Sequence, residues 1–430
     1  MDAATYQDYV NILHEELVPA MGCTEPIAIA YAAAVARQTL GRPAQRMEVE
    51  ASGNIIKNVK SVFVPNTGGL RGIPAAAAAG MAAGDPALEL EVLSSIGEGE
   101  QDAIRQYLAD TPIAVKLADS PFIFDIAIRA WAGEDSALVR IVNYHTNIVR
   151  VERNGQVLKE VEAQAAAEEG LTDKSVLTVK GILEFAREAA LADVEEAVGR
   201  QVRYNTAIAQ EGLRGDYGAN IGKVLLATYG DDVKIRAKAM AAAGSDARMN
   251  GCGLPVVIVS GSGNQGLTAS LPVVEYAKEL GADWETTLRA VLVSDLITIH
   301  LKAEIGRLSA YCGAVSAGCG SGAGIAWLYG REKEPQALLK DVSHTIVNAL
   351  AVDSGIVCDG AKASCAAKIA SAVDAGLLGF YMYQNGQQFR GGDGIISKGV
   401  EETIRNIGLL ATQGMRETDR EILDIMTTRC

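Results

Sequence analysis

The chain has 430 residues, of which 49% are hydrophobic but only 5% aromatic, and its formal net charge is −14. This length allows two or three domains with substantial cores, and the many alanines and glycines suit closely packed helices better than a β-sandwich. Because the chain is acidic and has no run of basic residues, we expect no nucleic-acid partner and no binding to an anionic membrane surface.

The predicted elements begin with two helices. Residues 5–18 have helical spacing of apolar groups, and the segment 24–26 (TEP) is typical of a second helix start, which we expect to end at Gly41. The N-terminus lacks a basic stretch followed by an apolar one, so we expect no signal peptide and a cytoplasmic protein. Residues 46–65 alternate as strands do, with residues 52–54 (SGN) as a turn between them.

The middle of the chain changes character. Residues 87–152 carry several strand patterns, beginning with LELEVL, and an acidic helix is predicted over residues 161–170. After residue 173 the strand signal fades, so the sequence predicts an α/β (α+β) domain over residues 1–172 and a mostly α-helical domain over residues 173–430. The stretch 308–330 has the length of a membrane span, but its glycine, serine, alanine and cysteine content favours a buried helix.

Seven cysteines occur in this chain, and without a secretion signal they indicate metal, redox or nucleophilic chemistry more than disulfides. Cys312, Cys358 and Cys365 lie in the C-terminal third. Their spacing is neither that of a ferredoxin nor that of a zinc ribbon, but the helix break at residues 359–360 would let the last two thiols turn toward one metal centre. The alternative is that each cysteine is a small buried hydrophobic residue.

The other cysteines occupy separate contexts. Cys23 stands directly before the predicted helix start, where amide donors and the helix dipole stabilise a thiolate, so we expect its pKa to be lowered. The alternative is a buried thiol that packs behind the helix start. Cys252, Cys319 and Cys430 are expected to be packing residues, and the sequence leaves open whether any of them approaches a metal.

A glycine-rich loop, Ser260–Gly266, follows an apolar run and precedes a predicted helix. Its successive backbone amides suit a phosphate or a carboxylate, although its glycine spacing matches neither a Walker loop nor a dinucleotide-binding fingerprint. Arg248, upstream of the loop, could clamp a substrate carboxylate, the alternatives being a bare turn and an exposed arginine. The candidate substrate-binding residues are Asn54, His145, Arg248, Ser260, Ser262 and Asn264.

Eight segments together resemble the L-cysteine desulfidases, which belong to the iron–sulfur serine dehydratase superfamily. They occur in the same order and cover nearly the whole chain. The segments are GCTEP, SGNIIKN, VPNTGG, HTNIV, SDAR, SGSGNQG, LSAYCGA and IVCDGAKASCA.

The resemblance implies a PLP-independent lyase of cysteine catabolism with a [4Fe–4S] cluster, which converts L-cysteine to pyruvate, ammonia and hydrogen sulfide. Carried over by position, it implies that Cys312, Cys358 and Cys365 are the cluster ligands and that Cys23 is the catalytic proton acceptor. Because ligands and base come from opposite ends of the chain, we expect the active site between the two domains. A homodimer is a further expectation.

The sequence is also compatible with three other functions. L-Serine dehydration would use the same apparatus with a hydroxide leaving group. A non-catalytic iron–sulfur or zinc protein, acting as a sulfur or redox sensor, would use four protein ligands and show no turnover. A membrane transporter rests on the stretch 308–330 alone and would need several further spans.

Overall fold

The computed structural model describes residues 1–164 and 171–428. The helices are α1 (Ala3–Glu16), α2 (Thr24–Leu40), α3 (Gly53–Val59), α4 (Gly72–Ala83), α5 (Glu98–Asp110), α6 (Val179–Glu188), α7 (Leu191–Arg214), α8 (Ile221–Tyr229), α9 (Val233–Met249), α10 (Gly263–Glu279), α11 (Trp284–Ile305), α12 (Gly313–Gly330), α13 (Pro335–Asp353), α14 (Cys365–Gln384), α15 (Val400–Leu409) and α16 (Arg416–Thr428). The strands are β1 (Pro19–Met21), β2 (Arg46–Ala51), β3 (Ile113–Leu117), β4 (Asp125–Ala132), β5 (Asp135–Val142), β6 (Ile148–Arg153), β7 (Gln156–Glu160) and β8 (Pro255–Val257).

Six strands form one mixed sheet in the order β3-β2-β4-β5-β6-β7. Strands β2 and β3 run parallel, and the other neighbouring pairs run antiparallel. In β2, Met47, Val49 and Ala51 are buried while the glutamates between them are partly exposed, which is the alternation expected of a sheet with one covered face. Helix α2 packs on the sheet against β4 and β5. The predicted N-terminal α/β (α+β) part is confirmed.

Beyond residue 173 the described chain is helical apart from the short strand β8. The predicted mostly helical C-terminal part is therefore confirmed. One continuous set of buried apolar residues reaches from Tyr9 to Ala411. The domain boundary at residue 172 stays a prediction.

Three local predictions were wrong or cannot be compared. Residues 53–59 form helix α3 and not a strand, because Ser52 has the extended conformation of a helix N-cap and the buried Ile55 and Val59 are one helical turn apart. The predicted strand LELEVL is largely a 3-10 turn over Pro86–Glu91, which begins at a proline capped by Asp85. Of the predicted acidic helix, residues 161–164 are not helical and residues 165–170 lie outside the described residues.

Helix α12 is buried among α10, α11, α13 and α14, which accounts for its small, uncharged side chains. Its crossing with α14 is especially close: a Cβ on Gly376 would lie 2.2 Å from the Gly318 carbonyl oxygen, and a Cβ on Gly318 would lie 2.3 Å from that of Ala372. Among the described helices, α14 alone is long and apolar enough to cross a membrane by length and composition, and 56% of that window is buried within the protein.

We expect Gly376→Ala to lower the free energy of unfolding by at least about 1 kcal/mol, because the new methyl group meets backbone that cannot move aside cheaply. This decrease is the net effect, since the steric cost of up to about 3 kcal/mol outweighs a gain of about 1 kcal/mol in helix propensity. Urea denaturation measures the difference. Gly355→Ala is the matched control, since its Cβ would meet nothing within 4 Å. Equal stability of the two variants would contradict the close crossing.

Candidate active site

The pairing of β1 with β8 brings two distant segments of the chain together. The two strands run antiparallel, with Pro19 opposite Val257 and Met21 opposite Pro255. Strand β1 leads directly to Cys23, and β8 leads to the loop Ser260–Gly266. The two segments therefore lie side by side, and Thr24 Oγ1 donates a hydrogen bond to the Gly261 carbonyl oxygen at 2.9 Å.

A second short pairing sets the positions of the three C-terminal cysteines. Tyr311 and Val357 form an isolated antiparallel bridge. Beside it, the amide of Cys312 donates to the Ile356 carbonyl oxygen at 3.1 Å, and the amide of Cys358 donates to the Ala310 carbonyl oxygen at 2.6 Å. Cys365 is then the first residue of α14.

One pocket, with a cavity of about 100 Å³, collects most of the predicted site residues. Its lining includes all four cysteines to which we assigned chemistry: Cys23, Cys312, Cys358 and Cys365. It also includes five of the six predicted substrate-binding residues: His145, Arg248, Ser260, Ser262 and Asn264.

The remaining predicted residues lie elsewhere. Asn54 belongs to α3 and does not line the pocket; its side-chain amide donates to Asp419 at 2.8 Å. Cys252 and Cys319 are buried outside the pocket lining. Cys430 lies outside the described residues.

Four helices begin at this pocket. Cys23, Ser262 and Cys312 are the N-cap residues of α2, α10 and α12, and Cys365 opens α14. A helix N-terminus carries a partial positive charge and free backbone amides. The pocket therefore favours negative charge, such as that of thiolates, a metal–thiolate cluster or a carboxylate.

Cys23 lies at a helix start as predicted, but the predicted lowering of its pKa was wrong. The thiol is 2% exposed, and its Sγ donates to Glu25 Oε2 at 3.0 Å. Burial, together with the charge of the Glu25 carboxylate, raises the pKa of Cys23 well above its usual value. In this state of the protein Cys23 is a thiol, and the helix dipole is too weak to offset both effects.

Glu25 is a site residue that the sequence reasoning missed. Its other oxygen, Oε1, accepts from Asn58 Nδ2 at 3.0 Å, and Thr24 Oγ1 lies 3.2 Å from Oε2. Burial works against its charge, but the interaction with His145, the Cys23 hydrogen bond and the Arg248 guanidinium outweigh burial, and the pKa of Glu25 is lowered. Glu25 is therefore a buried carboxylate.

A glutamate in the first turn of a helix is ordinarily an exposed partner of the helix dipole. The burial of Glu25 could therefore not be predicted from its position in the helix. The one available signal was its place in GCTEP, two residues after Cys23.

Arg248 and Asn264 have unused hydrogen-bonding capacity. The Arg248 side chain is 2% exposed, its Nη1 lies 3.9 Å from the Met249 sulfur, and its Nε has no hydrogen-bond partner within the described residues. Asn264 Nδ2 also points at the Met249 sulfur, at 3.7 Å. Because a thioether is a weak acceptor, both side chains retain donors for a ligand.

The same pattern extends around the pocket. Five buried polar atoms of its lining residues have no hydrogen-bond partner in the described part of the chain. They are Asn58 Oδ1, His145 Nε2, Arg248 Nε, Asn264 Oδ1 and Gln265 Oε1. An unsatisfied buried polar atom costs about 1–3 kcal/mol, so such atoms are few in native proteins. Five around one cavity indicate that the cavity holds water or a polar ligand.

The three C-terminal thiols fit an iron–sulfur cluster. They are partly buried, and burial together with the neighbouring Cys358 raises the pKa of Cys312, which indicates that the thiols lie close together. Within residues 1–164 and 171–428, no three potential ligands converge closely enough for one metal ion. Cluster thiolates bind different irons at separate corners, so the ligands of a cluster need not converge on one point.

Lys368 fixes the position of Cys358 relative to Cys365. Its ammonium group donates to the Val357 carbonyl oxygen at 2.8 Å and pairs with the Asp359 carboxylate, so it holds both neighbours of Cys358 against α14. Its positive charge also lowers the pKa of Cys365, although burial leaves the net shift upward.

Fold and pocket together define a helical protein with an anion-attracting, thiol-lined site for a small polar ligand. The comparisons name its family. A family model described as serine dehydratase alpha chain matches residues 87–424, and the chain belongs to this family. The family is known for iron–sulfur-dependent dehydratases, so membership points to amino-acid lyase chemistry.

Relatives similar along nearly their whole length are named UPF0597 proteins. The one from Desulfitobacterium hafniense is 59% identical over 425 residues, covering 99% of this chain and 97% of the relative. The one from Lachnoclostridium phytofermentans is 51% identical over 421 residues, covering 98% and 99%. The one from Aeromonas salmonicida is 39% identical over 433 residues, covering 99% and 97%.

His145 should make the cluster-free protein sensitive to acid. Burial lowers the pKa of His145 from 6.5 to about 4, so between these values the unfolded chain binds a proton that the folded protein does not. Stability is therefore full above pH 6.5 and falls toward pH 4, by about 3 kcal/mol for this residue. In urea denaturation at pH 7 and pH 4.5, His145→Gln should lose about 2–3 kcal/mol less than wild type. An identical loss in both proteins would contradict a buried neutral histidine.

Proposed function

We propose that the protein is a PLP-independent iron–sulfur L-cysteine desulfidase, which eliminates hydrogen sulfide from L-cysteine and yields pyruvate and ammonia. One observation carries the proposal: a single pocket is lined by three cysteines, a cysteine–glutamate pair and a buried arginine with an unpartnered Nε. Membership of the serine dehydratase alpha-chain family supports the reaction class.

Cys312, Cys358 and Cys365 would hold the [4Fe–4S] cluster as thiolates. With three protein ligands one iron would lack a protein ligand, and the bound cluster would supply a Lewis acid for the substrate sulfur. The N-termini of α12 and α14 and the ammonium group of Lys368 stabilise the negative charge of these thiolates.

Arg248 and Asn264 are the proposed partners of the substrate carboxylate. Both side chains reach the pocket with donors that otherwise meet only the Met249 sulfur. An arginine can bind a carboxylate through two parallel hydrogen bonds, and the N-terminus of α10 adds further attraction for the charge. These contacts would fix the α-carbon between the cysteine thiols and Cys23.

Cys23 and Glu25 are the proposed proton acceptors. The proton on the Cys23 thiol passes to Glu25 Oε2 along the 3.0 Å hydrogen bond, and the Cys23 thiolate then takes the substrate α-proton. The proton transfer from Cys23 to Glu25 keeps the total charge of the pair at −1 and moves it from the carboxylate to the sulfur. The Glu25 carboxylate charge, which raised the pKa of Cys23, is then neutralised. As the C–S bond breaks, sulfide leaves, and the aminoacrylate reacts with water to give pyruvate and ammonia.

The pocket wall beside the thiols also contains Ser309, Tyr311 and Lys368, but part of it is apolar, and that part suits a sulfur leaving group. Ala314, Ala361 and Ile369 line the pocket within four residues of the cysteines. A sulfur atom tolerates such apolar walls, whereas a hydroxyl group buried there would need hydrogen-bond partners. L-Serine dehydration is the second candidate function, because the family takes its name from that activity.

The direct test is turnover by anaerobically purified protein with its cluster. We expect sulfide and pyruvate in equal amounts from L-cysteine, and pyruvate formation from L-serine slower by about tenfold or more. Faster turnover of L-serine would favour the second candidate function. A cluster-loaded protein that turns over neither amino acid would refute both.

We expect the alanine variants of Cys312, Cys358 and Cys365 each to lose iron, the broad visible absorption and turnover together. Cys319→Ala is the control: this cysteine is buried on α12 and does not line the pocket, so the variant should keep its iron. Iron and sulfide analysis measures the outcome. Full cluster content in any one of the three variants would remove that residue from the ligand set.

Glu25→Gln should lower kcat by about 100- to 10,000-fold while cluster content stays at the wild-type level, because the variant loses the acceptor for the Cys23 proton but keeps the shape of the side chain. Cys23→Ser should behave alike. Glu285→Gln, in the first turn of α11 and away from the pocket, is the control and should retain activity. Wild-type kcat in Glu25→Gln would show that Glu25 takes no part in proton transfer.

A further inference from the structure

Helix α16 is attached to the protein in an unusual way. None of its residues is buried, and it packs mainly against α3 and the turn that precedes it. A helix with so little apolar contact gains little from hydrophobic burial, so specific polar contacts must hold it in place.

Those contacts centre on a buried lysine. Lys57 of α3 is 2% exposed, and its ammonium group pairs with the carboxylate of Asp419 on α16. The second Asp419 oxygen accepts from Asn54 Nδ2 at 2.8 Å, so α3 binds both oxygens. Lys60, at the end of α3, donates to the Met426 carbonyl oxygen, and the Leu423 side chain packs over Gly53.

Helix α3 and the residues just after it contact the pocket on two sides, at the Cys23–Glu25 pair and at the loop between Cys358 and Cys365. Asn58, next to Lys57, donates to Glu25, and Val62 just beyond α3 packs against Cys23. On the other side, a Cβ on Gly360 would lie 2.3 Å from the Lys57 carbonyl oxygen, so the backbone of α3 packs against the loop between Cys358 and Cys365.

Burial of a charged pair is a costly way to gain stability, since well-packed apolar residues of similar size often do as well or better. A charged pair with defined geometry does fix the relative position of two elements. Helix α3 has seven residues, too few to hold a conformation without outside contacts.

We propose that α16 acts as a clasp on α3, in which Lys57 and Asp419 are positioning residues that keep Asn58 and Val62 against the Cys23–Glu25 pair. The kinetic part of this inference rests on the proposed function. The structural part does not, because it concerns only how α16 controls the cover of Cys23.

The test compares Asp419→Asn and Lys57→Met with wild type. Asp419→Asn leaves the buried ammonium group without its counter-ion, whereas Lys57→Met removes the buried charge and so guards against a simple folding failure. Asp424→Asn, a charge-matched change on the same helix, is the control. Hydrogen–deuterium exchange should rise in α16 and α3 of both variants, and alkylation of Cys23 in cluster-free protein should be several-fold faster than in the control.

In the cluster-loaded enzyme, kcat should fall by about 10- to 100-fold, because small displacements of catalytic groups are costly. KM should change much less, since Arg248 and Asn264 lie on α9 and α10. A purely stabilising role would leave kcat of the folded variants unchanged.

Two outcomes would overturn the clasp. One is faster exchange in α16 with unchanged Cys23 alkylation and unchanged kcat, which would make α16 a peripheral element. The other is unchanged exchange in α3 in both variants. If wild type proves to have no lyase activity, the proposed function fails, and exchange and alkylation still decide whether α16 controls the cover of Cys23.

Discussion

The antiparallel pairing of β1 with β8 is the contact on which the rest of the site depends. Each strand has only three residues, and they are separated by more than two hundred positions in the chain. Together with the hydrogen bond from Thr24 to Gly261, this pairing fixes the position of Cys23 relative to Arg248 and to the loop that starts α10. The strands are flanked by buried residues from both parts of the chain, so the hydrophobic core fixes the pairing and the pairing fixes the pocket.

Two opposing electrostatic effects meet in this pocket. Four helix N-termini attract negative charge, while burial makes every unpaired charge expensive. Without a bound cluster, burial prevails and the pKa values of Cys23, Cys312 and Cys365 are raised. Metal binding requires thiolates, so cluster binding should release protons and depend on pH. The positive ends of the same four helices also stabilise the negative charge of the Cys23–Glu25 pair.

Much of this arrangement could be predicted from the sequence. The first two helices and the change from an α/β to a helical part followed from hydrophobic periodicity and glycine placement, and the resemblance of eight short segments selected four cysteines that line one pocket. Arg248 and the loop Ser260–Gly266 were found because amides and a guanidinium have a definite affinity for anions.

What escaped prediction depends on contacts between distant residues. The pKa of Cys23 depends on burial and on the charge of Glu25. The hydrophobic periodicity of the sequence does not predict that Glu25 is buried. Asn54 was assigned to the substrate because it lies beside a glycine turn, but it binds Asp419 of a helix more than three hundred residues away. Helix α3 was mistaken for a strand because a short helix and a short strand place apolar residues alike.

The proposed function requires that Cys312, Cys358 and Cys365 hold a cluster with one iron available to the substrate. The most direct measurement is a Mössbauer spectrum of anaerobically purified, iron-57-labelled protein with and without L-cysteine. We predict a four-iron cluster in which the Mössbauer signal of one iron changes when L-cysteine is added. If the signals of all four irons stay unchanged, or if the anaerobically purified protein holds no iron, the proposed cluster role is wrong.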